Sequence, residues 1–366
     1  MAKNIHSQPF EESTLAKLNI FRDYLKEWLP VFLAPNKVFW NRINVFDFFA
    51  GPGKDAAGVS GSPLIITEEI KAHFDRIKEK NLIVTLYFNE LDKQKHDELA
   101  QRILTEDFAQ GPYNKVVENW DFKQAFDEWY KVMNNKDCAN LLFMDQYGVK
   151  HITEEIFQKI ISLKCTDFLF FISSSSIKRF SDHPSIKQYF NVDKSEIDKI
   201  PYHKIHRYVL EYYKSLIPEG KDYYLSSFSL KKGTNVYGLI FGSNHSLGMY
   251  KFLNTCWGID KERGEANFDI DNENLKNNQI DMFTCEVKRA NKIEVFEDEL
   301  EDLFRKKQFK TTKDLYLFGL SHGFLPSHIK PVVTKMINAK VIEKKQYSIS
   351  SELSKAKAAL VEINYL

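Results

Sequence analysis

The stretch Asn44-Val45-Phe46-Asp47-Phe48-Phe49-Ala50-Gly51-Pro52-Gly53 reads as a buried strand that runs straight into a tight glycine turn. Val45, Phe46, Phe48 and Phe49 are the β-branched and aromatic types that strands favour. The nearly unbroken apolar run predicts burial on both faces, and so a parallel sheet. Gly51 and Gly53 let the backbone bend sharply and approach a ligand, and Pro52 fixes one φ between them. Downstream, Ser62-Pro63-Leu64 reads as an N-cap followed by proline at the first helical position. The order is therefore strand, glycine turn, loop, helix. In an open α/β sheet, ligands bind outside the carboxyl ends of the strands, where this turn sits.

The D-x-F-A-G-x-G pattern resembles motif I of class I S-adenosylmethionine methyltransferases. It lacks the third glycine of a G-x-G-x-x-G phosphate loop, and no G-K-S/T follows to make a P-loop. The resemblance implies S-adenosylmethionine as cofactor. Asp47 would meet the methionine ammonium, directly or through water, and the backbone of Ala50, Gly51 and Gly53 would leave room beside it.

The chain has 366 residues, enough for two domains, and 43% of them are hydrophobic, enough for a sizeable core. A formal net charge of +1 gives no global pull toward nucleic acid, so any basic surface must be local. Cys138, Cys165, Cys256 and Cys285 are far apart, with no C-x-x-C. That spacing predicts free thiols in a cytoplasmic protein and no metal site. The N-terminus lacks a signal-peptide pattern, and no run of about 18 apolar residues suggests a membrane span.

Taken in order, Ser13 to Leu29 is expected to be an amphipathic helix with Leu15, Leu18, Phe21, Leu25 and Trp28 on one face. A helix from Pro63 to Lys80 follows the glycine turn. Leu82 to Phe88 is a second strand ending in Asn89-Glu90. An acid at that end suits two ribose hydroxyls, which assigns Glu90 to the ribose, with Asp92 as the alternative. Lys115 to Glu118 is a third strand, and Asp121 after it could meet an adenine amine or cap the next helix. The fourth strand, Asn140 to Met144, runs into Asp145-Gln146-Tyr147-Gly148. Amino-group methyltransferases often place D/N-P-P-Y/F here. By that likeness Asp145 and Tyr147 would orient an acceptor amine, which is catalysis by positioning.

Asp167 to Ile172 is the fifth strand, followed by Ser173-Ser174-Ser175-Ser176 and then Lys178 and Arg179, which could meet phosphate or face water. Residues 174–222 read as a helical insertion. Its cluster of His203, Lys204, His206, Arg207 and Tyr208 fits a nucleic-acid surface. It equally fits an amphipathic helix with His and Lys outward. Tyr223 to Leu230 and Asn235 to Phe241 form an expected antiparallel closing hairpin. These elements make up a Rossmann-like α/β domain over residues 1–257. The polar stretch 258–290 is the expected linker, and 291–366 the expected small domain of three helices and a hairpin, winged-helix-like. Lys330 and Lys335 on its third helix could face phosphate, and such domains also dock proteins.

The pairing of Asp47-Phe48-Phe49-Ala50-Gly51-Pro52-Gly53 with Gly61-Ser62-Pro63-Leu64 and Asp145-Gln146-Tyr147-Gly148 resembles the three-Cys-motif partner protein family. Members usually read D-P-Y-G at the fourth strand, so Gln146 is a departure. The resemblance implies a partner similar to radical S-adenosylmethionine proteins. The expected function is methyl transfer from S-adenosylmethionine to nucleic acid, DNA or RNA, with a base amine as candidate acceptor. The alternative is a non-catalytic, substrate-presenting subunit.

Overall fold

Seven strands form one sheet in the order β3-β2-β1-β4-β5-β7-β6. The computed structural model describes residues 9–34, 39–105, 111–146, 151–180, 194–232, 235–268, 270 and 292–366. β1 (Arg42–Asp47), β2 (Ile83–Asn89), β3 (Asn114–Glu118), β4 (Cys138–Met144) and β5 (Thr166–Ser173) run parallel. β6 (Tyr224–Lys232) and β7 (Asn235–Ser243) form the closing hairpin, with β7 antiparallel to both neighbours. The apolar runs of β4 and β5 are buried almost throughout, as two helix-covered faces require.

The crossovers supply those helices. They are α1 (Glu12–Leu33), α2 (Ser62–Lys71), α3 (Phe74–Glu79), α4 (Lys93–Thr105), α5 (Phe122–Met133) and α6 (Glu154–Ser162). α7 (Ser174–Phe180), α8 (Lys194–Lys199) and α9 (Ile205–Ser215) lie in the expected insertion. Phe46 and Phe48 anchor one core, with Trp129 5.7 Å and 5.1 Å from their respective ring centroids. On α1, Phe21, Tyr24, Leu25 and Trp28 are buried, and the Tyr24 hydroxyl donates to Asp167 at 2.6 Å.

Three local expectations are corrected. The helix after the turn breaks at His73 (φ −107°, ψ 20°), so Ile70 and Ile77 are buried from separate helices. Gly61, not Ser62, is the N-cap of α2; Ser62 is its first residue and is buried. His206 is fully buried rather than facing water. It packs where α9 crosses β7, and a Cβ added at Gly238 would stand 2.7 Å from the His206 Cβ and 2.9 Å from the Ile172 side chain. Gly238→Ala should therefore cost about 1–3 kcal/mol through overpacking, read as a lower urea midpoint at unchanged slope.

The chain forms two compact units, Met1–Asn244 and His245–Leu366. The second contains α10 (Ser246–Ile259), α11 (Lys292–Arg305), α12 (Thr312–Ser321) and α13 (Pro326–Asn338). The His245 ring caps α10 by accepting from the Leu247 N–H at 3.1 Å. Thr311 and Asp314 close a capping box on α12. In the polar stretch read as a linker, the Asp260 carboxylate accepts from the backbone of Glu262, Arg263, Glu265 and Ala266. Residues 269 and 271–290 of that stretch lie outside the described residues.

The hairpin expected from Ala339–Ile342 and Tyr347–Ile349 is not formed. Ile342 instead bridges Tyr365, and Thr311 bridges Glu362. The C-terminal residues fill the place of the second strand. The N–H groups of Thr312 and Glu343 donate to the Val361 and Asn364 carbonyls at 2.9 and 2.8 Å.

Candidate active site

The carboxyl ends of β1, β2, β3 and β4 converge on the glycine turn. Gly51 (φ +63°) and Gly53 (φ +88°) both take left-handed backbone that side chains resist. The turn is fastened from three sides. The Ala50 N–H donates to the Asn89 carbonyl (2.9 Å), the Gly61 N–H to the Gly53 carbonyl (2.7 Å), and Arg102 to the Pro52 carbonyl (3.0 Å).

Asp47 ends β1 with its side chain fully buried. One carboxylate oxygen accepts from the Phe49 N–H at 3.1 Å, and the other, Oδ2, has no hydrogen-bond partner. Burial pushes its pKa up to about 7, reinforced by the nearby charges of Asp145 and Glu90. The Phe49 N–H and the Ser62 hydroxyl pull the other way, yet Ser62 completes no bond to Oδ2. A desolvated carboxylate oxygen with nothing to accept from is costly and suits a cationic ligand group.

Glu90 lies beside this turn. Its two oxygens accept from the Gly51 and Asp92 N–H groups, both at 2.8 Å. A carboxylate offers about four acceptor sites, so two remain for hydroxyls. The rim behind it is cross-tied. The Asn89 side chain donates to the Trp120 carbonyl and accepts from the Trp120 N–H, both at 3.0 Å, while Asn119 donates to the Glu90 and Leu91 carbonyls. Asp121 caps α5, accepting from the Gln124 N–H at 3.0 Å. Asp47, Ala50, Gly51, Gly53 and Glu90 thus share one edge, with Asp121 next along it.

Asp145 follows β4 and is ion-paired with Lys17 of α1. The Lys17 ammonium also lies 4.9 Å from the centroid of the Phe171 ring. Gln146 is buried; its Oε1 accepts from the His151 N–H at 3.0 Å, and its Nε2 has no partner. Tyr147 lies outside the described residues.

The basic candidates fare differently. The Lys178 ammonium donates to the carbonyls of Ile197, Asp198 and Ile200 at 2.5–2.8 Å, so it fastens the end of α8 rather than presenting a free charge. Arg179 is exposed. In the second unit, Lys335 is exposed but paired with Glu301, and Lys330 is exposed.

Sequence reasoning missed Lys17, Asn89 and Arg102. Lys17 carried a signal: it continues the buried face Phe21-Tyr24-Trp28 at helical spacing, an unusual place for a lysine. Asn89 sat in the quoted Asn89-Glu90 pair, where only the acid was weighed. Nothing local marked Arg102.

A mostly parallel seven-stranded sheet, an antiparallel closing hairpin and a glycine turn at the carboxyl edge of β1 define a Rossmann-like fold of the class I methyltransferase type. Among solved structures, the chain is similar to a complex of Trm1 from Pyrococcus horikoshii with S-adenosyl-L-methionine, at 12% identity over 70% of this chain and 61% of that one, TM-score 0.34. It is also similar to the DszA carbon methyltransferase, at 12% identity over 62% of this chain and 54% of that one, TM-score 0.35. A third is the SAM-dependent methyltransferase from Agrobacterium tumefaciens, at 8% identity over 64% and 63%, TM-score 0.34. The chain therefore spans less than two thirds of the length of each of these three. No protein-family profile and no curated protein matches it. No helix among the described residues is long and apolar enough to cross a membrane.

Proposed function

We propose that the chain is an S-adenosylmethionine-dependent methyltransferase acting on nucleic acid, with a base amine as acceptor. The observation that carries the cofactor is the buried, unpartnered Oδ2 of Asp47 beside the two left-handed glycines. S-adenosylmethionine supplies a methyl group activated by its sulfonium, so positioning and electrostatics are what the protein must add. Asp47 holds the methionine ammonium, and the Ala50, Gly51 and Gly53 backbone lies along it. Glu90 takes the ribose hydroxyls through its remaining acceptor sites. The free oxygen of Asp121 serves the adenine amine. Asp145 accepts from the target amine, with Tyr147 as the ring that stacks on it.

In the nucleic-acid part of this reading, the exposed Lys330 on α13 of the second unit is the phosphate contact. Cationic Lys178 is withdrawn from that role by its three carbonyl partners. One observation favours a second reading, a substrate-presenting subunit for a radical S-adenosylmethionine-type partner: Asp145 is already engaged by Lys17.

Calorimetric titration of the full chain with S-adenosylmethionine tests the first reading. Saturable binding that Glu90→Ala weakens about tenfold or more supports it, since losing hydrogen bonds to a charged group costs roughly 1.5–3 kcal/mol. Absence of binding at millimolar ligand to wild-type protein would leave only the second reading.

A further inference from the structure

We propose that Lys17 is a methyl acceptor in cis: Asp145 and Phe171 form a seat for a primary ammonium group, and the chain fills that seat with a side chain that becomes N-methylated. The inference rests on the reading of the Asp47 turn as the S-adenosylmethionine site.

The seat is built by register. Phe143 pairs with Asp47 on one side and Leu169 on the other, and Met144 pairs with Phe170. Asp145 and Phe171 therefore stand level at the carboxyl edge, just beyond Asp47. Asp47 pairs in register with Phe143, so Asp145 lies two residues further along the neighbouring strand. Lys17 enters from α1, its side chain only 18% exposed, gripped by the carboxylate and by the Phe171 ring. Carboxylate and aromatic face are complementary to an ammonium on two sides.

The pair is not needed to dock α1. Tyr24 holds that helix to Asp167, and Arg22 holds it to Glu68 and Glu69 of α2. A lysine placed instead on the buried stripe must lose side-chain entropy and most of its hydration, a poor arrangement for an anchor alone.

The chemistry balances. Lys17 first gives a proton to water. The neutral Nζ lone pair then forms the N–C bond with the sulfonium methyl group. The C–S bond breaks and its electron pair stays on sulfur, leaving a neutral thioether. The positive charge passes to nitrogen, where Asp145 still pairs with it.

Two measurements test this. Trace acetylation with acetic anhydride, followed by peptide mapping, reads the seat without any methyl donor. Lys17 should react at least tenfold more slowly than Lys330 in the wild type and approach it in Asp145→Asn. Equal reactivity in the wild type would overturn the seat. The full chain, with and without S-adenosylmethionine, is then weighed intact. A gain in multiples of 14 Da, mapped to Lys17 and absent in Lys17→Arg, is expected. Saturable cofactor binding with Lys17 unmodified after hours would overturn cis-methylation. Failure to bind the cofactor would overturn the underlying reading, and the acetylation result would show whether the seat stands without it.

Discussion

Asp47→Asn should make the ligand-free protein more stable at pH 8 while removing its ability to bind S-adenosylmethionine. The carboxyl is fully buried, and its pKa rises from 3.8 to about 7. Such a group carries its full stability contribution below pH 4 and loses it as pH rises through 7, because the unfolded chain ionises more readily. A shift of about three units is worth roughly 4 kcal/mol by pH 8. The asparagine removes that cost but leaves an amide donor in place of Oδ2, so a net gain of about 2–3 kcal/mol is expected. Urea melts from pH 5 to 8 check the sign. Wild-type stability should fall across that range, and the variant should fall less. An equal slope would show that Asp47 does not titrate as its burial implies. The residual slope in the variant belongs largely to Asp167, whose pKa burial raises to about 6.

The same ionisation governs ligand affinity. On the proposed reading, in which the Asp47 carboxylate meets the methionine ammonium, affinity should drop about tenfold per pH unit well below 7. A substitution that stabilises the fold while abolishing binding is the pattern expected where function keeps a strained group. Loss of a structural carboxylate would lower stability and affinity together.

The fold was legible because β1, β4 and β5 are mostly apolar and buried almost throughout, and two-sided burial leaves few other arrangements for such strands. The glycine turn was legible because positive φ at Gly51 and Gly53 needs glycine. Contacts across long separations were not. Lys17 meets Asp145 across 128 positions, and Arg102 meets Pro52 across 50; periodicity within one helix does not name a partner on another strand. The tail misled for a related reason. Tyr347 and Ile349 bury their side chains as a strand would, yet the backbone partner of Ile342 comes from Tyr365, which local pattern does not reveal.

Asn140→Ala should destabilise the first unit by about 3–5 kcal/mol, since several buried groups lose partners at once. Asn140 is fully buried, accepts from the Asn44 side chain, and donates to the Met133 carbonyl and the Thr166 hydroxyl, each at 3.0 Å. Asn44 pairs in register with Asn140, and Asn140 with Thr166, so the three side chains form one polar row across β1, β4 and β5. A slip of one residue would break every bond in the row and turn side chains to the opposite face. Counting forward from the row explains its relevance to the site. Three residues past Asn44 is Asp47, and five residues past Asn140 and Thr166 are Asp145 and Phe171. Replacing all three row members by valine removes donors and acceptors together and should recover much of the stability lost in the single variant. What it should not recover is the fixed offset between the strand ends. If the row sets register, the triple variant will melt near the wild type yet bind S-adenosylmethionine at least tenfold more weakly. Wild-type affinity in that variant would mean that apolar packing alone holds the strands in place.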